Sequence, residues 1–206
     1  MFDFTFEILE HHTHVVIFDL DDTVFDTEKA FVRWIKKNLG VEHNWKGRMD
    51  KNCPIEGPLL RPCLDSAEFM RDGEFVPGFE RFPQLLQELR YNFPTVLFIF
   101  GSHRGYSPLA PEYTSQQFQR LGVELQGVFI DPAEHPCKKT YFDNNLNGLP
   151  YLLFDDNPHW EGSSEEDVEN IFLMDKLWNQ KETAYVRVYS FDQMRAEAIN
   201  WLWSVV

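Results

Sequence analysis

The chain has 206 residues, a formal net charge of −14, and is 43% apolar and 16% aromatic. That length suits one compact domain, or a core with a small inserted subdomain, and the apolar content excludes global disorder. The acidity argues against a general nucleic-acid binder, and no run of about 18 apolar residues offers a membrane span.

The N-terminal stretch MFDFTFEILEHH has no basic start and no long apolar segment. No secretion signal is expected from it. Cys53, Cys63 and Cys137 include no CxxC pair, so neither a disulfide framework nor a zinc site is expected. A cytoplasmic location is the default. His11, His12 and His14 are read as surface residues ahead of a strand.

HVVIF (14–18) is a β-branched run expected to form a buried strand. Four aspartates follow it within eight positions: Asp19, Asp21, Asp22 and Asp26. Asp26 and Thr27 can cap a helix, TEKAFVRWIKKNLG, that stops at Gly40. Residues 41–78 contain four prolines and are read as loops with one short helix around CLDSAEFMRDG. VPGFERFPQLLQELR gives a turn and a helix with Leu85, Leu86 and Leu89 on one side. TVLFIF (95–100) is a second buried strand, and TSQQFQRLG a helix ending at Gly122. GVFI (127–130), YLLF (151–154) and NIFLM (170–174) are further strands, with YVRVY (185–189) another. Ser190 and Gln193 form a capping box for the last helix, FDQMRAEAINWLW.

Strands apolar on both faces, alternating with helices, indicate an α/β fold with a parallel sheet. Its crevice lies at the carboxyl ends of the strands, where the aspartates fall. A strand–helix–strand crossover needs about 30 residues. Asp19 and Ser102, at two such strand ends, are 83 apart in sequence. The surplus implies an insertion after the first strand, so the domains are read as a core of 1–26 and 77–206 with a small helical cap of 27–76. Residues 27–61 hold eight Lys/Arg against four acids, about +4, leaving about −18 elsewhere. Two readings stand: a solvated basic face, or a basic lid over an anionic substrate.

Asp19 and Asp21 share a direction on the strand. Two adjacent carboxylates repel unless a cation sits with them, and a hard divalent ion such as Mg²⁺ answers that problem with oxygen ligands. Asp155 and Asp156 end another strand and could complete such a site. Ser102, at the end of VLFIFGS, can hydrogen-bond a phosphate oxygen. Lys138 and Lys139, in HPCKKTY, could neutralise phosphate charge. His103 and Arg104 share the loop after Ser102, and either could touch substrate. Phe25, Phe31, Trp34 and Trp45 could stack on a base, although aromatics at helical spacing are more often core.

DLDDT, a strand-terminal Ser, a Lys and a strand-terminal DD, in that order, resemble the four motifs of the haloacid dehalogenase (HAD) superfamily. The resemblance covers residues 15–157. It implies a Rossmann-like core and a Mg²⁺-dependent phosphomonoesterase. Asp19 would be the nucleophile and Asp21 the general acid and base. Thr23 would hold the loop, and Ser102 and a lysine would bind the phosphoryl group, with Arg104 a further contact. Asp19, the carbonyl of Asp21, Asp155 and Asp156 would hold the metal. KT ahead of the DD strand is similar to the 5′(3′)-deoxyribonucleotidase branch and its phage and bacterial relatives, which favours Lys139 over Lys138. Nucleoside monophosphates are the substrates that this branch implies. The alternatives are another small phosphate ester such as a sugar phosphate, a protein or polynucleotide end, or an idle phosphate-binding protein. Homo-oligomerisation stays open.

Overall fold

The computed structural model describes residues 6–42, 53–158 and 168–206. The first strand, β1 (His14–Phe18), is buried from Val15 onward. It lies between β4 (Val96–Ser102) and β6 (Tyr151–Asp155), parallel to both. With β5 (Gln126–Phe129), β7 (Ile171–Met174) and β8 (Val186–Val188) they make a six-stranded parallel sheet in the order β5-β4-β1-β6-β7-β8.

Successive side chains of a strand face opposite sides. Val16 and Phe18 join the apolar cluster of one face, and Val15 and Ile17 that of the other. The first face is covered by α4 (Phe82–Asn92), through Leu85, Leu86 and Leu89, and by α7 (Phe191–Val205), through Met194, Ala198 and Leu202. The second is covered in part by Phe142 and Leu146, at the end of α6 (Lys138–Asn145). Each such buried side chain contributes about 1.5–3 kcal/mol, so the sheet is the rigid part of the molecule and its strand ends are fixed points.

After β1 the chain turns through Asp22 and forms β2 (Phe25–Asp26), which pairs antiparallel with β3 (Glu74–Phe75). This ribbon brackets an insertion whose described residues form three helices: α1 (Thr27–Leu39), α2 (Gly57–Ser66) and α3 (Phe69–Asp72). Asp26 caps α1 by accepting from Lys29 N at 3.0 Å, and Gly40 ends it with φ 67°. Ala30, Cys63, Ala67, Phe69 and Met70 form a separate apolar cluster with Ala110, the first residue of α5 (Ala110–Leu121). Phe31 and Trp34 pack on that cluster, and Trp34 Nε1 donates to Glu68 at 3.1 Å. Phe25 is fully buried. Phe25 therefore packs the fold, while Phe31 and Trp34 are half-buried against the insertion's own cluster. Trp45, Lys46, Arg48 and Lys51 lie outside the described residues.

Several helices differ from the sequence expectation: the one short helix expected around CLDSAEFMRDG is two, α2 and α3, parted at Ala67 with φ 56°, and α5 begins at Ala110 rather than Thr114. α2 begins at Gly57, six residues ahead of Cys63, because Pro58 sits in the first turn, where no amide donor is needed. α6 was not anticipated from the sequence, and it positions the site lysine. No helix among the described residues is long and apolar enough to cross a membrane.

Candidate active site

The strand order brings the carboxyl ends of β4, β1 and β6 side by side. Asp19 follows β1, and its amide donates to Phe154 O at 2.9 Å, extending the ladder by one residue. Asp155 ends β6 and Asp156 follows it. All three aspartates are buried, and carboxylate oxygens of Asp19, Asp155 and Asp156 lie within 4.8 Å of one another. It is the one group among the described residues with metal-ligand spacing. Its donors are all hard oxygens, which suit a hard divalent cation rather than a softer ion.

One ammonium sits inside this cluster. Lys138 Nζ donates to Asp19 Oδ1 at 2.6 Å and to Asp155 Oδ2 at 2.7 Å, and the residue is buried. Its amide donates to Pro158 O at 2.9 Å, tying the start of α6 to the loop after β6. Lys139 turns the other way and pairs with Asp143 at 2.7 Å, one helical turn along α6. Of the two lysines it is Lys138, and not the favoured Lys139, that the structure brings among the aspartates. α6 starts at Lys138, so its first side chain faces the strand ends and the second points about 100° away.

The remaining oxygens are held from several elements. Asp155 Oδ1 accepts from Asn157 N at 2.7 Å. Asp156 Oδ1 accepts from Thr23 Oγ1 at 3.4 Å, and its Oδ2 from Trp178 Nε1 at 3.0 Å. Asn179 Nδ2 donates to Asp156 O at 3.0 Å. Thr23 thus braces the loop against Asp156. Trp178 and Asn179 follow β7 and were missed in the sequence. No spacing ties them to Asp156, 22 and 23 residues away; only the adjacency of β6 and β7 does.

Asp21 stands apart from the three-carboxylate group. Its Oδ1 accepts from Thr27 Oγ1 at 2.6 Å, and its Oδ2 from Ser102 Oγ at 3.4 Å. Arg104 takes most of the rest: Nε lies 3.1 and 3.0 Å from the two oxygens and Nη2 2.8 Å from Oδ1. Arg104 is 1% exposed. The structure directs Arg104 to Asp21, and its Nη1 to Thr114 and Gln117. His103 Nε2 sits 3.1 Å from His135 O. Asp22 adopts φ 57° and accepts from Thr27 N at 3.0 Å and Glu28 N at 3.1 Å. It is a turn and capping residue as well as a neighbour of the site.

The electrostatics follow from this placement. Burial pushes the Asp19 carboxyl well above its ordinary range; Lys138 opposes this, and Asp155, Asp156 and Asp21 add to it. Burial also pushes Asp21 up, but the charge and hydrogen bonds of Arg104, with Thr27 and Lys138, outweigh it and hold Asp21 low. Burial and then the charge of Asp156 push Asp22 up to about 8. Lys138 is raised: burial alone would lower it, but Asp155 and Asp19 more than compensate. One ammonium among three buried carboxylates leaves an excess of negative charge, which a divalent cation would neutralise.

Two basic residues of α1 have partners close by: Lys29 pairs with Asp26, and Arg33 Nη2 donates to Asp72 O at 2.8 Å. Lys36 pairs with Glu42 on the surface. Arg33, Trp34 and Lys37 line a groove of about 370 Å³ with Asp72, Glu74 and Arg120.

No protein-family model matches the chain, and no curated protein matches it either. Solved structures do. A HAD-hydrolase from Bacillus subtilis, solved bound to magnesium, superposes with a TM-score of 0.55 at 13% identity, covering 90% of this chain and 98% of that one. A predicted phosphatase from Clostridium acetobutylicum superposes with a TM-score of 0.54 at 13% identity, covering 92% and 99%. A hydrolase from Pseudomonas syringae reaches 0.50 at 12% identity, covering 94% and 99%. At these identities the likeness is one of fold.

Proposed function

We propose that this chain, which has the fold of the HAD-type hydrolases, is a phosphomonoesterase that works through an aspartyl-phosphate on Asp19. The observation that carries the reading is the meeting of Asp19, Asp155, Asp156 and Lys138 at the carboxyl ends of β1 and β6, with Asp21 and Ser102 beside them. The fold shared with phosphatases and hydrolases supports it.

Asp19 attacks phosphorus, forming an O–P bond as the ester O–P bond breaks. Asp21 gives a proton to the departing oxygen. It then takes one from the water that attacks the phosphorylated Asp19, releasing inorganic phosphate. Arg104 favours the ionised form of Asp21, which suits the second half of that role. Ser102 and Lys138 hold the transferring phosphoryl oxygens, where positioning and charge do most of the work. Asp19, Asp155, Asp156 and the carbonyl of Asp21 would hold Mg²⁺, which supplies neutralisation of the carboxylates and of charge on the phosphoryl group.

Nucleoside monophosphates are the preferred substrate class. Two aromatics favour a base near the site: Tyr106, 37% exposed on the loop after Ser102, and Trp178, half-buried beside Asp156. Phosphate release from nucleoside 5′- and 3′-monophosphates, sugar phosphates and p-nitrophenyl phosphate, with Mg²⁺ and with EDTA, tests both levels. Mg²⁺-dependent release is expected, with nucleotides ranked first. Sugar phosphates ranked first would replace the substrate class, and no release from any would leave a phosphate-binding protein.

A further inference from the structure

Among the described residues Arg104 is the largest fully buried side chain, and nothing in the proposed reaction requires an arginine there. A guanidinium in the interior needs every N–H satisfied and its charge matched. Among the described residues the charge is matched by Asp21 alone. The other end of the fork, Nη1, donates to Thr114 Oγ1 at 2.9 Å and Gln117 Oε1 at 3.0 Å, both on α5. The ring of Phe25 lies 6.0 Å from the guanidinium carbon.

Gln117 continues the line. It is fully buried, and its Nε2 donates to Gly73 O at 2.9 Å. Gly73 is the residue between α3 and β3, where the helical insertion returns to the core. A Cβ on Gly73 would stand 2.7 Å from Gln117 Nε2. Arg120 Nη2 also donates to Gly73 O. Thr27, the first residue of α1, holds Asp21 Oδ1 from the other end of the insertion. Both junctions of the insertion thus reach the same carboxylate, one directly and one through Gln117 and Arg104.

We propose that Arg104 is the positioning residue of Asp21: it fixes the plane of that carboxylate and, through Gln117 and Gly73, ties it to the seating of the helical insertion. This rests on the phosphatase reading for its catalytic meaning. A bidentate fork leaves a carboxylate little freedom to rotate, and misplacing a reacting group by about 1 Å can cost about 10²-fold in rate.

p-Nitrophenyl phosphate separates positioning from a general structural loss. Its leaving group departs without a proton, so phosphorylation of Asp19 needs no acid, whereas breakdown of phospho-Asp19 still needs Asp21 as base. In Arg104→Lys, steady-state turnover is expected to fall about 10²-fold. The first turnover is spared, giving a burst of p-nitrophenol and more trapped phospho-Asp19. An equal fall in burst and steady state would overturn the proposal. Gly73→Ala, which touches no site residue, is expected to give the same burst in weaker form, and its absence would remove the link to the insertion. Melting temperatures keep the pairing testable apart from activity. Arg104→Met and Asp21→Asn together are expected to cost less than the sum of each alone; additive losses would refute the pairing. No turnover by the unsubstituted chain would instead retire the phosphatase reading.

Discussion

Lys138 and Lys139 are adjacent and carry the same charge, yet only Lys138 reaches Asp19 and Asp155. Lys138→Met is expected to lower kcat about 10²–10³-fold, the scale for losing one charge-stabilising donor. Lys139→Met, which gives up an ion pair with half-exposed Asp143, should leave turnover nearly unchanged. Steady-state kinetics on the two variants checks this, and the reverse order would return the role to Lys139. Asp22 gives a pH prediction. Its folded pKa is raised to about 8, so the folded chain binds that proton more tightly than the unfolded chain does. Its contribution is therefore present at acid pH and lost as pH rises from about 4 through about 8. Asp22→Asn should flatten that decline in metal-free melting curves; an unchanged slope would contradict it. At this scale the motif aspartates were legible because they sit at the ends of apolar runs. The lysine was not, because it depends on where α6 begins. Arg104 was legible as a site neighbour but not in its role, because Thr114 and Gln117 lie on another helix.

α6 owes its place to a glycine in β4. Gly101 leaves room for Phe142: a Cβ there would stand 2.4 Å from Phe142 Cζ and 3.1 Å from Ile17 Cγ2. Neither neighbour can yield easily, since Phe142 and Ile17 are fully buried in one cluster. Gly101→Ala is expected to destabilise the fold by about 1–3 kcal/mol, the usual cost of overpacking. Because Phe142 shares a helix with Lys138, turnover should fall as well; denaturant unfolding and kinetics on one preparation check both. Unchanged stability would mean that α6 is not wedged against β4. The sheet strands and α1, α4 and α7 were readable from apolar runs, helical periodicity and caps. α6 was not, because Phe142 is its one buried apolar residue and gives no period. α2 was obscured by Pro58 and Pro62, which read as breakers.

Across the whole molecule, 33 acidic residues against 19 Lys/Arg make a protein poor in cations, and the strand ends concentrate that imbalance. A cation that binds only the folded chain stabilises it by mass action, about 2.7 kcal/mol at 100 times its Kd. Mg²⁺ should therefore raise the melting temperature and EDTA reverse the rise, and Asp155→Asn should weaken both responses. A melting temperature indifferent to Mg²⁺ would count against the metal site. The central claim is the covalent step on Asp19, and trapping it is the most direct test. The reaction with a phosphate ester would be quenched, reduced with borohydride and digested, and the peptide carrying Asp19 read by mass spectrometry. Conversion of Asp19 to homoserine is expected, dependent on substrate and absent in Asp19→Asn. Turnover with Asp19 unmodified, or with the label on another residue, would contradict it.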